Sequence, residues 1–355
     1  MAASTKAQRE ENDSPKNGTR AMAKRIHGAK SAALLYVKCD DKCKGKTAGT
    51  YTTDPCEIDA VVRRAWQHIY KGNVEDVAET VKHFMAKYDK YIFKAPQGEA
   101  MEITGQMVKA AFNSGGASAA GMDSWEPEEL ALFSDMACNW TAILYQLIEA
   151  GAEWPKGTLS AKAAFLEKDG AMLGEVMSFR VLLIMAALYC KWASMRLKTL
   201  DGWINQWELP EMYAGAGNQG AEDAWYQTMI DLEFLQLDGT PYCGGTADIM
   251  KLFDQILRPL VYELLRVAGM PATILDAYRR LQEGLRVHNS LAGSIGHPYV
   301  RPCSIPQGCP LSMMIVAIIM RPWVCMVKEM NVQPKVLADD VLIIAQGKSM
   351  LSRLA

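Results

Sequence analysis

Val336-Leu337-Ala338-Asp339-Asp340-Val341-Leu342-Ile343-Ile344 sets two adjacent acids between two apolar runs. The pattern reads as strand, tight turn, strand over 335–345, with Asp339 and Asp340 at the turn. Apolar strands bury both faces, so a carboxylate placed among them needs a partner. A divalent cation is one such partner, because hard cations such as Mg²⁺ take carboxylate oxygens. Seen alone, the pair fits an ordinary surface turn equally well, since Asp is common in turns for backbone reasons.

Two upstream segments change the balance. Thr246-Ala247-Asp248-Ile249-Met250-Lys251-Leu252-Phe253-Asp254 places Asp248 at the end of a turn-then-strand pattern over 239–249. A strand-end Asp beside an Asp from a neighbouring hairpin makes the bridging pair that two-metal phosphoryl transfer requires. One cation eases deprotonation of an attacking 3′-hydroxyl, and the other neutralises charge on the leaving pyrophosphate. The expected geometry has Asp248 and Asp339 carboxylates roughly 4 to 6 Å apart, with Asp340 beside them. Ser304-Ile305-Pro306-Gln307-Gly308-Cys309-Pro310-Leu311-Ser312 reads as a rigid turn feeding an apolar helix that starts near Pro310 and runs through Met326. Gly308 lets backbone approach a ligand closely, and Gln307 offers a donor and an acceptor where a base pair could lie.

In this order the three segments resemble the central palm motifs of reverse transcriptases. Those are an Asp followed by an aromatic-Asp pair, Pro-Gln-Gly before a helix, and a small residue before Asp-Asp. Upstream, Gly121-Met122-Asp123-Ser124-Trp125, Ala163-Ala164-Phe165-Leu166-Glu167-Lys168, Phe179-Arg180-Val181 and Ala221-Glu222-Asp223-Ala224-Trp225 are similar to fingers and pre-palm segments of the non-LTR retrotransposon enzymes. The resemblance covers about 121–347. It implies an α+β, right-hand polymerase fold of fingers and palm, with helices on an antiparallel sheet and a helical N-terminal extension.

Residue by residue, the resemblance makes Asp248, Asp339 and Asp340 the catalytic acids and ligands of two Mg²⁺ ions, with Mn²⁺ a substitute. It sets Phe253 at the position where a large ring excludes a ribose 2′-hydroxyl. Gln307 and Gly308 fall on the nucleotide and template loop, and Lys168 and Arg180 on the positions that grip an incoming triphosphate, a task suited to cations. The implied activity is RNA-directed DNA synthesis, with dNTPs and a primed RNA or DNA template as partners. An RNA-dependent RNA polymerase shares the palm, but Ala338 and Phe253 favour the reverse transcriptase.

Several positions depart from that pattern. Glu167 stands where Pro is usual, Val181 follows Arg180 where Pro is usual, Leu252 replaces a small residue, and 215–220 lacks a Phe-Arg pair. Only fifteen residues follow Asp340, too few for the family's next palm motif, primer grip and thumb. The thumb is therefore expected to be missing, and a catalytically inactive retroelement remnant is the main alternative.

The rest of the chain sets the frame. Residues 1–50 are polar and rich in Lys and Arg, and read as a basic flexible tail; 51–115 as a helical lead-in; 116–207 as fingers; 208–355 as palm. Helical spacing is expected over 55–91 and around 130–150, a strand over 161–166, and a long apolar helix over 181–200. Helices over 259–268 and 272–285 follow, then a hairpin over 286–300. Turns are expected at Asp169-Gly170 and around Gly293. The net charge of -2 leaves a net acidic body behind the basic first fifty residues, which counts against tight phosphate binding. Nine scattered cysteines suit a reducing, intracellular setting, and Cys39, Cys43 and Cys56 match no common zinc module. The longest apolar run, 181–189, is far short of a membrane span.

Overall fold

The computed structural model describes residues 34–354 except 116–117, 169, 171, 173, 217–218 and 292–293. The expected turn residues Asp169 and Gly293, and most of the basic tail, lie outside the described residues. Residues 34–50 depart from the tail reading. Val37–Lys38 (β1) pairs antiparallel with Tyr51–Thr52 (β2), and Leu34, Val37, Cys39 and Cys43 are buried. Dense lysines around these few apolar positions hid them. Pro55–Gln67 (α1) begins at Asp54, whose carboxylate accepts from the Cys56 N–H, and it buries Ile58, Val61, Val62 and Trp66. Val77–Lys87 (α2) and Gly105–Asn113 (α3) complete the lead-in, capped by Asp76 and Thr104.

A short Pro127–Leu130 helix (α4) precedes Asp135–Glu149 (α5). Ser160–Glu167 (β3) then pairs antiparallel with Phe179–Ile184 (β4). That second strand corrects the expected 181–200 helix, which begins only at Ala187 and runs to Thr199 (α6). Val181 and Leu183 turn to the core on alternate positions. A strand buried on one face and half-buried on the other looks like a stretch of apolar helix when read from sequence alone.

Asp201–Trp207 (α7) and Ala221–Leu237 (α8) lead to Tyr242–Asp248 (β5). Leu252–Gln255 (α9), Arg258–Val267 (α10) and Ala272–Gly284 (α11) follow, then Arg286–Leu291 (β6) and Ser294–Ile295 (β7). Ser312–Glu329 (α12) starts two residues after Pro310. The Ser312 hydroxyl closes the preceding loop by donating to the Pro306 carbonyl at 2.7 Å. Val332–Leu337 (β8), Asp340–Gln346 (β9) and Met350–Leu354 (α13) end the chain.

The two larger sheets have the orders β4-β3-β6-β7 and β5-β9-β8. The second is antiparallel throughout, but β3 and β6 run parallel, so the all-antiparallel expectation is corrected. This pairing also joins 160–163 to 286–289, so a boundary at 207/208 does not separate the sheets. One main core packs Trp66, Tyr145, Tyr189, Trp192, Trp207 and Tyr278 between sheet and helices. Among the described residues no helix is long and apolar enough to cross a membrane.

Candidate active site

The three-stranded sheet brings the acids together. Its register sets Asp248 of β5 directly opposite Asp340 of β9, while Leu337 and Asp340 close the β8–β9 hairpin around Ala338 and Asp339. Directly opposed residues in an antiparallel pair point to the same face, their Cβ atoms about 5 Å apart. The cross-strand partner of Asp248 is therefore Asp340, and Asp339 occupies the turn. Asp339, expected to share a cation with Asp248, is the next residue toward the turn. Ala338 takes a left-handed φ of 58°, which a small side chain tolerates at the first turn position. The Ile249 N–H donates to the Asp339 carbonyl at 3.1 Å, fastening the turn to the residue after Asp248.

Burial and the charges of Asp339 and Asp248 push the Asp340 carboxyl above its usual range, against the pull of Arg180. Asp248 and Asp340 border a cleft of about 380 Å³ shared with Trp225, Tyr213 and Lys335. Among the described residues no group of three or more His, Cys, Asp or Glu side chains is gathered closely enough to hold a metal ion. Asp248 and Asp340 are opposed across the sheet with Asp339 next to Asp340, and the repulsion of Asp340 by both neighbours suits a divalent cation.

Arg180 and Lys168 stand at one end of the β3–β4 pair. Arg180 lies opposite Leu166, and the Lys168 N–H donates to the Ser178 carbonyl at 3.3 Å. Both side chains are exposed. Lys251, which the sequence reading passed over, lies among them. Burial, then Lys168 and Arg180, brings its ammonium down to about 8, with Asp254 opposing. A lysine inside an apolar-punctuated stretch was the available signal.

Gln307 and Gly308 sit where the loop before α12 adds to the edge of β4, with the Leu183 N–H donating to the Gln307 carbonyl at 2.8 Å. That strand by itself calls for glycine at 308. Its φ is 127°, and a Cβ would lie 2.3 Å from the Leu183 carbonyl oxygen. Phe253 is only 8% exposed and belongs to the main core, so little of its ring faces outward. Its carbonyl accepts from the Ile305 N–H at 2.9 Å, joining the Asp248 segment to the Gln307 loop.

Behind the site, Asp254 and Arg301 form a buried pair at 3.5 Å, with the Arg301 guanidinium 4.3 Å from the centre of the Tyr70 ring. Burial raises the Asp254 carboxyl, while Arg301 and Lys251 hold it down. At the N-terminal end, Cys39 and Cys43 are buried and Cys56 is exposed.

No family model matches the sequence. Among solved structures, an apo telomerase from Candida tropicalis truncated from its C-terminal domain is similar at 13% identity and a TM-score of 0.42. The likeness covers 62% of this chain and 51% of that one, so the chain spans about half the telomerase's length.

Proposed function

We propose that this chain is the polymerase core of a reverse transcriptase of the non-LTR retrotransposon type, adding dNTPs to a primer 3′-hydroxyl under the direction of a template. The observation that carries the reading is the register of β5 on β9, which opposes Asp248 and Asp340 while Arg180 lies within electrostatic reach of the same carboxylates. Acids on one side and cations on the other are what a nucleoside triphosphate bound through a divalent cation needs. Asp248, Asp339 and Asp340 would hold Mg²⁺ between them. When bound, the cation supplies charge neutralisation at the reacting phosphate and lowers the barrier to forming the attacking oxyanion. Arg180 and Lys168 would receive the triphosphate tail, and Gln307 would meet the base pair.

A second reading, a retroelement remnant that binds nucleic acid weakly and catalyses nothing, is favoured by one feature. Most of β5, Asp248 included, is exposed, and the acids are not closed into a three-ligand set among the described residues.

Primer extension with labelled dNTPs separates the two. The first reading expects Mg²⁺-dependent extension by this chain, or by a version lengthened with a basic helical thumb, that Asp340→Asn and Asp248→Asn each abolish. Extension that survives both substitutions removes these acids from catalysis. A lengthened, well-folded chain that extends nothing favours the remnant.

A further inference from the structure

Lys251 is an unusual residue in an unusual conformation. It has a left-handed φ of 53°, a backbone state that costs a non-glycine residue about 1 kcal/mol or more. Its ammonium is drawn inward, donating to the Phe179 carbonyl at 2.8 Å and lying 4.4 Å from the centre of the Trp66 ring. Its one hydrogen-bond acceptor among the described residues is thus a neutral carbonyl. A half-buried ammonium normally finds a carboxylate. This one instead feels Lys168 and Arg180, and only Asp254 as a compensating charge.

The contacts join three parts of the chain. Trp66 belongs to α1 of the lead-in, and Phe179 immediately precedes Arg180 on β4. Lys251 itself follows Asp248 by three residues. The Lys251–Phe179 bond ties the strand bearing Arg180 to the loop that follows Asp248. Lys168 and Arg180 repel the Lys251 ammonium more than Asp254 offsets, and a bound polyanion relieves that repulsion.

We propose that Lys251 is the positioning residue of a polyphosphate-binding site. By clamping the Phe179 carbonyl beside Trp66, it fixes Arg180 and Lys168 opposite Asp248 and Asp340, where the phosphate tail of a nucleotide would lie. The inference rests on the nucleotidyl-transfer reading for its ligand, but not for its test.

The linkage has a definite sign. An anion at Arg180 and Lys168 favours the charged form of Lys251, so binding draws a proton onto it, and affinity falls as pH rises past about 8. The side chains bearing on its charge are Lys168, Arg180 and Asp254. An arginine at 251 keeps its charge over this range, so it keeps binding and loses that part of the pH dependence.

The experiment is calorimetric titration of the full chain with inorganic tripolyphosphate, without divalent metal, from about pH 7 to about pH 9. The expected result is that Lys251→Met weakens binding by about tenfold or more near neutral pH, as loss of a charged hydrogen bond would. Lys251→Arg should stay near the parent at neutral pH and exceed it at the alkaline end, and Arg180→Gln should mark the site by weakening binding. Far-ultraviolet circular dichroism checks that each variant is folded. Lys251→Met binding within twofold of the parent at every pH overturns the inference. So does an arginine variant that follows the parent's pH profile, or a parent that does not bind tripolyphosphate. Primer extension failing while these results stand overturns the polymerase reading and leaves the anion site in place.

Discussion

Gly308→Ala tests whether the Gln307 loop is shaped by β4. At φ 127° an added Cβ meets the Leu183 carbonyl oxygen at 2.3 Å, and that oxygen belongs to a strand held on its other side by β3. The backbone strain alone costs about 1–3 kcal/mol. Relief requires the loop to lift from β4, losing the Leu183–Gln307 hydrogen bond at about 1 kcal/mol more. The total, about 3 kcal/mol, lowers a urea midpoint by about 1 M at a slope of about 3 kcal/mol per M. Gly239→Ala is the control. Gly239 has a φ of 63° with nothing within 4 Å of its would-be Cβ, so only the left-handed penalty of about 1 kcal/mol applies. Equal midpoint losses for the two variants would refute the reasoning, because they would mean that contact with Leu183 adds nothing.

Asp340→Asn should stabilise the chain near neutral pH, because burial and its acidic neighbours raise this carboxyl and make its ionised form unfavourable in the fold. The advantage should shrink as pH falls toward about 4, where the parent carboxyl is protonated too. Added Mg²⁺ should narrow the gap by stabilising the parent, and a gap unchanged by pH and Mg²⁺ in unfolding titrations would count against both points. Phe253→Ala should cost about 3–5 kcal/mol as a large-to-small core change, measured by urea unfolding. In an extending chain it should also relax the preference for dNTPs over rNTPs; an unchanged preference removes Phe253 from the gate role.

Local pattern carried much of this structure. The helices after Pro55, Arg258 and Ala272 announce themselves through apolar spacing and boundary residues such as Asp54 and Pro271, because a helix is made of contacts close in sequence. The β8–β9 hairpin was legible for the same reason, although Asp339 alone is in its turn and Asp340 begins β9. What escaped depended on distant partners. Nothing near Ala161 says that its neighbour is Val287 in parallel, and nothing near Val181 says that a strand partner will outcompete helix. The site divided along the same line. Asp248, Asp339 and Asp340 were visible as acids out of place, but their order against one another is a matter of register, which a strand of exposed glycines and alanine does little to specify. Lys251 carried little signal of its own, because Trp66 and Phe179 reach it from elsewhere in the chain.

The register that opposes Asp248 to Asp340 also sets a timetable. Among the described residues strand β5 pairs with β9 alone, and the two acids are separated by about ninety others. At roughly 5–20 residues per second, a ribosome would keep β5 waiting for about 5–20 seconds before its partner is made. An unpaired strand is a template for association with other chains during that interval. Gly244 and Gly245 at its centre, with few side chains to pack, make it a poor one. The same glycines that leave the finished strand thin would then protect nascent chains from one another, and branched replacements at Gly245, where a Cβ meets nothing within 4 Å, would be felt first as loss of soluble yield.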